Sequence, residues 1–382
     1  MSEQLDLVVC GGGITGAGIA RDAALRGLHV ALLEKGDFAS GTSSRSSKLI
    51  HGGLRYLQHG HLRLVFESTA ERALLAKLAP HLVRPLPFLI PTYRNSKPGF
   101  LTLDSGLWLY DALAVFRAPR LHRTYRAGRV RILEPTLASS EITGGLEYCD
   151  CTTDDARLVL ENILHARELG AVVRSHTRLT GVSRDGHGRI VTVHARSEID
   201  GEELELHTRL LIVAAGPWTD EVLAVIGTHT DGASTRRPLL RPTKGIHIVL
   251  ERERLPLSRA LTLFTDDARV VFCLPWNGRI VVGTTDTDYA GSPDSVAADA
   301  TDVRYLCDQV NKHVSLDQPI DPVDVLATWA GIRPLIAPLS TPAAVRTSEV
   351  PREHAVMALE PGLLAIAGGK LTTYRRMACE AV

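Results

Sequence analysis

A glycine-rich turn near the N-terminus constrains this 382-residue chain more than any other feature of the sequence. The apolar run 5–10 is typical of a strand, and the sequence Gly-Gly-Gly-Ile-Thr-Gly comes next at 11–16. Small residues at 19–25 then favour a helix, and 29–34 is again typical of a strand. This strand–turn–helix–strand order predicts a βαβ unit of a parallel sheet.

The glycine spacing within this turn indicates what the unit binds. Gly11 permits the tight turn, Gly13 lets backbone approach a pyrophosphate, and Gly16 lets the helix pack close to the strand. The helix N-terminus then directs its free N–H groups at the phosphates. Glu34 closes the second strand, where a carboxylate can accept hydrogen bonds from an adenosine ribose. The sequence therefore predicts a dinucleotide site, but this motif alone does not choose between NAD and FAD.

A hydroxyl-rich loop lies after the second strand and ends in residues that favour burial. Its hydroxyl residues are Thr42, Ser43, Ser44, Ser46 and Ser47. Together with Arg45 and Lys48 they supply many hydrogen-bond donors. Composition alone is equally typical of a solvated loop, but apolar Leu49-Ile50 and then Gly52-Gly53 indicate a segment buried against a ligand.

The remaining sequence predicts a return to the parallel sheet and a second, antiparallel sheet. Residues 154–168 fit an amphipathic helix that leads into a strand at 171–173. Asp185-Gly186, Asp200-Gly201 and Asn277-Gly278 are hairpin signals. We predict an α/β fold with an α+β substrate part: a Rossmann-like FAD-binding domain with a parallel sheet, and an antiparallel-sheet substrate domain. The predicted segments are 1–80, 150–220 and 326–382 for the first domain, 81–149 for a cap segment and 221–325 for the antiparallel domain.

Composition excludes several classes of protein. Lys+Arg and Asp+Glu each number 43, so no overall positive charge indicates nucleic-acid binding. The six cysteines form no Cys-x-x-Cys pair, and we predict reduced packing residues without a metal site. The N-terminus lacks the features of a signal peptide, and no run of 18 apolar residues predicts a spanning helix. These features predict a cytoplasmic protein.

Several longer motifs carry a resemblance that covers nearly the whole chain. They are the glycine turn 11–18, Thr-Ser-Ser-Arg-Ser-Ser-Lys-Leu-Ile-His-Gly-Gly-Leu-Arg-Tyr at 42–56, Asp-Asp-Ala-Arg-Leu at 154–158, Ala-Gly-Pro-Trp at 215–218, Lys-Gly-Ile-His-Ile at 244–248, Gly-Thr-Thr-Asp at 283–286, Gly-Ile-Arg-Pro-Leu at 331–335 and Gly-Gly-Lys-Leu-Thr-Thr-Tyr-Arg at 368–375. With them the sequence resembles the FAD-dependent glycerol-3-phosphate dehydrogenases, within the D-amino-acid-oxidase-like flavoproteins. The resemblance implies a further C-terminal helical domain, whereas this sequence stops at Val382.

The resemblance implies FAD as cofactor and sn-glycerol 3-phosphate as substrate. The cofactor contacts that we expect are Gly11, Gly12, Gly13, Thr15, Gly16, Glu34, Lys35, Thr42, Ser43, Ser44, Ser46, Ser47, Lys48, Leu49, His51, Gly52, Gly53, Ala215, Gly216, Trp218, Gly331, Arg333, Gly369, Lys370, Leu371 and Thr372. The catalytic residues that we expect are His51, Arg55, Tyr56, His247, Arg333, Lys370 and Thr372.

The chemistry of the substrate gives these residues their expected roles. Arg55 and Arg333 would anchor the phosphate, because a planar guanidinium makes bidentate charge-assisted bonds. His51 or His247 would accept the proton from the C2 hydroxyl, because imidazole is the commonest general base. Taken singly, each arginine or lysine is more typical of a solvated charge, and each histidine is equally typical of a hydrogen-bonded structural residue.

The electron acceptor is the last part of the prediction. The resemblance implies quinone, which requires contact with a membrane, and no second dinucleotide motif indicates NAD. Arginines between 117 and 131 come after the apolar segment 106–116, which suits an anionic lipid surface on the inner face of the cell membrane. A buried helix followed by a solvated loop is the alternative. Oxygen as acceptor, another amine or hydroxy-acid oxidase, a flavin-binding sensor and a homodimer all stay open.

Overall fold

A computed structural model of the chain describes residues 4–94, 97–137, 141–227, 238–267, 269–337 and 353–382. The strands in chain order are β1 Leu7–Cys10, β2 Val30–Leu33, β3 Leu49–Ile50, β4 Arg84–Tyr93, β5 Arg123–Arg126, β6 Ile142–Thr152, β7 Val172–Arg174, β8 Thr177–Arg184, β9 Ile190–Ser197, β10 Glu203–His207, β11 Leu211–Val213, β12 Leu240–Glu251, β13 Ala260–Phe264, β14 Val270–Trp276, β15 Arg279–Gly283, β16 Thr287–Asp288, β17 Val325–Ile336, β18 His354–Glu360 and β19 Leu363–Gly368. The α-helices are α1 Ile14–Leu25, α2 Leu62–Leu78, α3 Phe100–Leu113, α4 Ala127–Leu133, α5 Asp155–Glu168, α6 Thr219–Ile226, α7 Ala300–Asn311 and α8 Tyr374–Ala381.

The first sheet is parallel except at one edge. Its strand order is β18-β19-β11-β1-β2-β7, and only β18 pairs antiparallel to its neighbour. The predicted βαβ unit and the predicted return strand at 171–173 are therefore both present in this sheet. Parallel pairing brings the carboxyl ends of β1, β2, β11 and β19 to one edge, where doubly wound folds bind their ligands.

Alternate residues of β1 send their side chains to opposite faces of this sheet. Val9 packs in a core with helices α1, α5 and α8, whereas Val8 packs in a core with the small sheet β8-β9-β10. The two period-two sets explain why all four residues of β1 and of β2 are buried. Strands covered on both faces read as continuous apolar runs.

The second sheet is large and mostly antiparallel. Its order is β16-β12-β15-β14-β13-β4-β6-β3, with β17 paired to β12 and β5 to β6. Helix α7 packs against one face, and helices α2 and α3 pack against the other. The predicted hairpin at Asn277-Gly278 joins β14 to β15. The predicted fold class, a parallel dinucleotide-binding sheet with a second antiparallel sheet, is confirmed.

Strand pairing divides the chain more finely than the predicted segments. β17 pairs with β12 over eleven residue partners, so most of 325–336 belongs to the large sheet, and the chain returns to the parallel sheet with β18 and β19. β3 likewise pairs with β6 of the large sheet. The sequences of β3 and β17 indicate strands. An apolar run does not identify which distant strand will pair with it. The segment boundaries themselves stay a prediction.

Candidate active site

The predicted glycine turn forms a cradle at the carboxyl ends of the parallel strands. It connects β1 to α1, whose first turn carries no acidic side chain and whose N-cap is Gly13. An added methyl group at Gly16 would overlap the carbonyl oxygen of Gly11, so helix and turn touch at a distance that only glycine allows. The Gly12 N–H donates to Glu34 Oε2 at 2.7 Å, which ties the turn to the end of β2.

The predicted adenosine side of the cradle opens into a cavity of about 120 Å³. Glu34 lies on its wall beside Gly11, and its second carboxylate oxygen accepts a hydrogen bond of 2.8 Å from the Gly36 N–H. Lys35, Ala215 and Trp218 also line this cavity. The carboxylate at the end of β2, the glycine turn and an aromatic wall are the groups that an adenosine diphosphate moiety requires.

The hydroxyl-rich loop lies over the N-terminus of α1. Thr42–Ser44 forms a short 3₁₀ helix, and the Oγ of Ser43 accepts a hydrogen bond of 2.9 Å from the Ile14 N–H. Thr15 lies within the first turn of α1, and Gly216 begins a second 3₁₀ helix after β11. The loop therefore covers the helix end at which a pyrophosphate would bind, as the sequence predicts.

Further along this loop, Lys48 and Ser46 both bind the same buried carboxylate. The Nζ of Lys48 lies 2.7 Å from Asp155 Oδ1 and 3.1 Å from the Ser44 carbonyl oxygen. The Ser46 Oγ donates to the other Asp155 oxygen at 2.7 Å. Asp155 is fully buried at the start of α5, so it fixes the shape of the loop. The sequence analysis did not identify this role of Asp155.

A larger cavity of about 350 Å³ lies between the two sheets. The predicted residues on its wall are Thr42, Ser46, Ser47, Leu49, His51, Gly53, Arg55, Tyr56, His247, Gly331, Arg333, Gly369, Lys370, Leu371 and Thr372. They come from separate stretches of sequence, so the fold brings together every residue that we expected to be catalytic. This cavity begins next to the loop that covers the cradle. The reactive ring of a bound dinucleotide would therefore lie in the cavity.

Arg333 is held in a fixed orientation at the cavity wall. Its Nη1 lies 3.0 Å from Asp286 Oδ1, and its Nη2 donates to the Thr284 Oγ1 at 2.9 Å and to the Thr285 carbonyl oxygen at 3.0 Å. The guanidinium also lies over Gly245, where a side chain would collide with it. A carboxylate and two further oxygens thus fix the orientation of this guanidinium at the cavity wall.

His247 is buried, whereas His51 is partly exposed to the cavity. The His247 ring stacks on Trp329 with centroids 5.2 Å apart. Burial, then the charges of Arg333 and Lys48, lower the pKa of His247 to about 3. His247 is thus neutral at physiological pH and a weak base, and the arrangement favours His51 as the proton acceptor.

Thr372 and Lys370 connect the C-terminal motif to the loop that carries His51. The Thr372 Oγ1 lies 3.1 Å from the His51 N–H and 3.2 Å from the His51 carbonyl oxygen. Lys370 lies over the Tyr56 ring, 3.7 Å from its centroid, and its Nζ donates to the Ser68 Oγ at 3.1 Å. The ammonium group is therefore fixed at the wall of the same cavity.

Sequence reasoning missed several residues of this cavity wall. Arg45 lines it, with its Nη1 3.4 Å from the Ala330 carbonyl oxygen. Asp150 also lines it, although it is nearly fully buried. An apolar wall completes the cavity and consists of Phe88, Leu103, Tyr148, Phe264, Val270 and Phe272. Arg45 belongs to the hydroxyl-rich loop, where the sequence indicated only a general hydrogen-bond donor. Asp150 and the apolar residues lie on strands or helices without a local motif, so only alternation with buried neighbours could have indicated them.

A glycine-rich cradle on a parallel sheet, joined to a cavity under an antiparallel sheet, is typical of dinucleotide-dependent oxidoreductases. Residues 6–375 match the family model described as FAD dependent oxidoreductase, and the chain belongs to this family. The predicted cofactor, FAD, is confirmed at the level of the family.

Two named relatives of the chain are glycerol-3-phosphate dehydrogenases. The chain is 42% identical over 385 residues to a glycerol-3-phosphate dehydrogenase of Mycobacterium leprae, covering 100% of this chain and 63% of the relative. It is 39% identical to the aerobic glycerol-3-phosphate dehydrogenase of Staphylococcus saprophyticus, covering 100% of this chain and 66% of that protein. The chain thus spans less than two thirds of the length of both relatives.

A solved structure agrees with these relatives. The glycerol-3-phosphate dehydrogenase of Bacillus halodurans, solved in complex with FAD, superimposes with a TM-score of 0.78 at 32% identity. The superposition covers 99% of this chain and 64% of that protein.

Proposed function

We propose that this chain oxidises sn-glycerol 3-phosphate to dihydroxyacetone phosphate. The observation that carries the proposal is the convergence of Arg55, Arg333, Lys370 and His51 on one cavity beside the cofactor cradle. Bound FAD would accept the hydride from C2 of the substrate, while the protein supplies binding and orientation. The names of the relatives, glycerol-3-phosphate dehydrogenases, support the same substrate.

Phosphate recognition is the role of the arginines in this proposal. Arg333 makes its ion pair with Asp286 through Nη1, so the carboxylate orients the guanidinium. A phosphate dianion would add charge-assisted bonds to Arg333 and Arg55. Amino acids and simple hydroxy acids lack this dianion, so two arginines on one wall favour a phosphate ester.

Proton transfer is the role of His51. Its backbone N–H and carbonyl group both contact the Thr372 hydroxyl, so this hydroxyl fixes the backbone from which the imidazole extends. An imidazole on the cavity wall can take the C2 hydroxyl proton as the hydride departs. Lys370 supports the developing negative charge on the substrate oxygen from the same wall.

Quinone is the electron acceptor that we propose, with the chain lying against the cytoplasmic face of the membrane. The apolar residues of α3 are divided between its two faces: Leu103 and Leu107 are buried, and Leu101 and Trp108 are 80% and 57% exposed. In the segment that follows α3 along the chain, the arginines at 117, 120, 123, 126, 129 and 131 are all exposed. Exposed apolar and basic side chains together suit an anionic lipid surface. Among the described residues, the helices are too short or too polar to cross a bilayer.

An anaerobic absorbance experiment tests the proposed function. Purified protein saturated with FAD should lose its flavin absorbance near neutral pH when glycerol 3-phosphate is added, but not when glycine or 2-hydroxyglutarate is added. Reoxidation by a soluble quinone analogue, faster than by oxygen, would support a dehydrogenase. Bleaching by glycine alone would reject the phosphate-ester substrate, and faster reoxidation by oxygen would indicate an oxidase.

A further inference from the structure

A buried carboxylate on β6 connects three separate elements behind the cavity. Asp150 forms an ion pair with Nη1 of Arg72 from α2. Its two oxygens lie 2.9 and 3.1 Å from the Tyr110 hydroxyl on α3. Its Oδ1 also accepts a hydrogen bond of 3.2 Å from the Gly52 N–H. Asp150 is 2% exposed, Arg72 is not exposed at all, and Tyr110 is 1% exposed.

Helices α2 and α3 enclose Gly52 on one side. A methyl group added at Gly52 would overlap the Tyr110 hydroxyl and the Thr69 side chain. The adjacent residue His51 is tied through its backbone to Thr372 on the other side. The segment that carries the proposed base is therefore fixed from both sides, by Thr372 and by the Asp150 carboxylate.

The Tyr110 hydroxyl and the Arg72 guanidinium both keep their protons in this cluster. Burial, and then the Asp150 carboxylate, raise the pKa of Tyr110 well above its usual value, so its hydroxyl stays protonated and donates. Arg72 does not lose its proton in proteins. Among the described residues its Nε and Nη2 have no hydrogen-bond partner, so Asp150 provides the compensation for its charge. A buried pair broken on one side is strongly destabilising, which keeps the carboxylate in place.

We infer that Asp150, Arg72 and Tyr110 are positioning residues, which hold the Gly52 backbone and thereby place the His51 imidazole for proton transfer. This inference rests on the proposed function, because the role of His51 belongs to that proposal. Asp150 reaches the cavity wall, but its charge is compensated by Arg72, so it does not repel an anionic substrate. Nothing in the cluster needs to touch the substrate in order to act.

Two variants test the inference without emptying the site. Tyr110→Phe removes one hydroxyl and keeps the ring, and Arg72→Lys keeps a positive charge next to the Asp150 carboxylate. Tyr93→Phe is the matched control, since it removes a phenol hydroxyl 3.2 Å from His313 Nδ1 on the other side of the large sheet. Hydrogen exchange of the peptide 49–56 reports the positioning directly, with FAD bound and without substrate. Anaerobic stopped-flow measurement gives the rate constant of flavin reduction and the substrate Kd separately.

We expect faster exchange of the peptide 49–56 in Tyr110→Phe, together with flavin reduction that is about tenfold slower, since small misplacements of a catalytic group are costly. The substrate Kd should change less than twofold, and Tyr93→Phe should behave as the wild type. Faster exchange with an unchanged rate constant would make the cluster purely structural and overturn the inference. Unchanged exchange would overturn it as well. If Tyr110→Phe does not fold, the same criteria apply to Arg72→Lys, which retains the charge pair with Asp150. Failure of the wild type to bleach with glycerol 3-phosphate would instead reject the proposed function, while the exchange result would still stand.

Discussion

The Nε2 of His247 lies 2.8 Å from the Ser47 Oγ, which joins the large sheet to the hydroxyl-rich loop over the cofactor cradle. The histidine is 3% exposed, and its Nδ1 has no hydrogen-bond partner among the described residues. A neutral imidazole in this place joins the large sheet to the loop and packs on Trp329 of the neighbouring strand. We therefore interpret His247 as a residue that holds the loop, and His51 as the proton acceptor.

The two histidines should differ clearly in kinetics. Replacing His51 with Gln should slow flavin reduction by about 10²-fold or more, the usual contribution of a general base. His247→Gln should change the same rate constant by only a few fold, because Gln can keep the contact with Ser47. Stopped-flow reduction by glycerol 3-phosphate distinguishes them, and the opposite order would assign the base to His247. Unchanged rates in both variants would exclude both.

His247 should also make the stability of the protein dependent on pH. Its pKa falls from 6.5 to about 3 in the folded state, so between these values the unfolded state binds the extra proton. The stability that the neutral form provides is complete above pH 6.5 and is lost as the pH falls toward 3. From pH 7 to pH 5 the wild type should lose about 2 kcal/mol more free energy of unfolding than His247→Gln, at about 1.4 kcal/mol per pH unit. Urea unfolding at both pH values measures this, and parallel losses would show that His247 is not held neutral.

Arg333→Ala should damage substrate use and spare cofactor binding. Loss of a charge-assisted pair with a phosphate is expected to cost about 3 kcal/mol, which lowers kcat/KM by roughly 10²-fold. The flavin content should stay that of the wild type. Arg241→Ala on β12 is the control, since this arginine binds Asp288, a residue whose side chain is 61% exposed. Normal kinetics in Arg333→Ala would refute the phosphate clamp.

Asp294 should help to retain FAD at the adenosine cavity. It lies 2.8 Å from the Lys35 Nζ and accepts a hydrogen bond of 2.9 Å from the Trp218 indole N–H, so it joins two residues of the cavity wall. An exposed pair of this kind is worth about 0.5–1 kcal/mol, and Asp294→Ala should raise the Kd for FAD roughly two- to fivefold. Asp266→Ala, which breaks the exposed pair with Lys312, is the control. Flavin fluorescence titration measures the Kd for FAD. Equal values in Asp294→Ala and Asp266→Ala would show that Asp294 does not help to retain FAD.

The exposed face of α3 should bind anionic lipid. The double variant Leu101→Ser/Trp108→Ser should float with phosphatidylglycerol liposomes about tenfold less than the wild type, because it loses apolar area at the lipid boundary. Ile199→Ser is a suitable control, since Ile199 is 77% exposed on the distant β9–β10 hairpin. High salt should weaken binding of the wild type by screening the arginines. A wild type that does not float would refute the contact.

Local motifs determined the dinucleotide fold from the sequence. The turn at 11–16 is specific because helix and strand approach one backbone, and this leaves room for glycine alone at Gly16. Glu34 was predictable for the same reason, since its place at the end of the second strand is set by the βαβ unit. The hairpins were also predictable, because Asn277-Gly278 supports a tight turn by itself.

Tertiary structure decided how the candidate site is built. Asp155 and Asp150 have no recognisable role in the sequence, yet they organise the loops around Lys48 and Gly52 through contacts that span 107 and 98 residues of chain. The sequence also left open which of the two histidines is buried. Burial of His247 depends on packing between strands that are distant in sequence. The local sequence determines where the backbone requires glycine or a tight turn. Burial and charge pairing depend on residues that are distant in sequence and come together only in the folded chain.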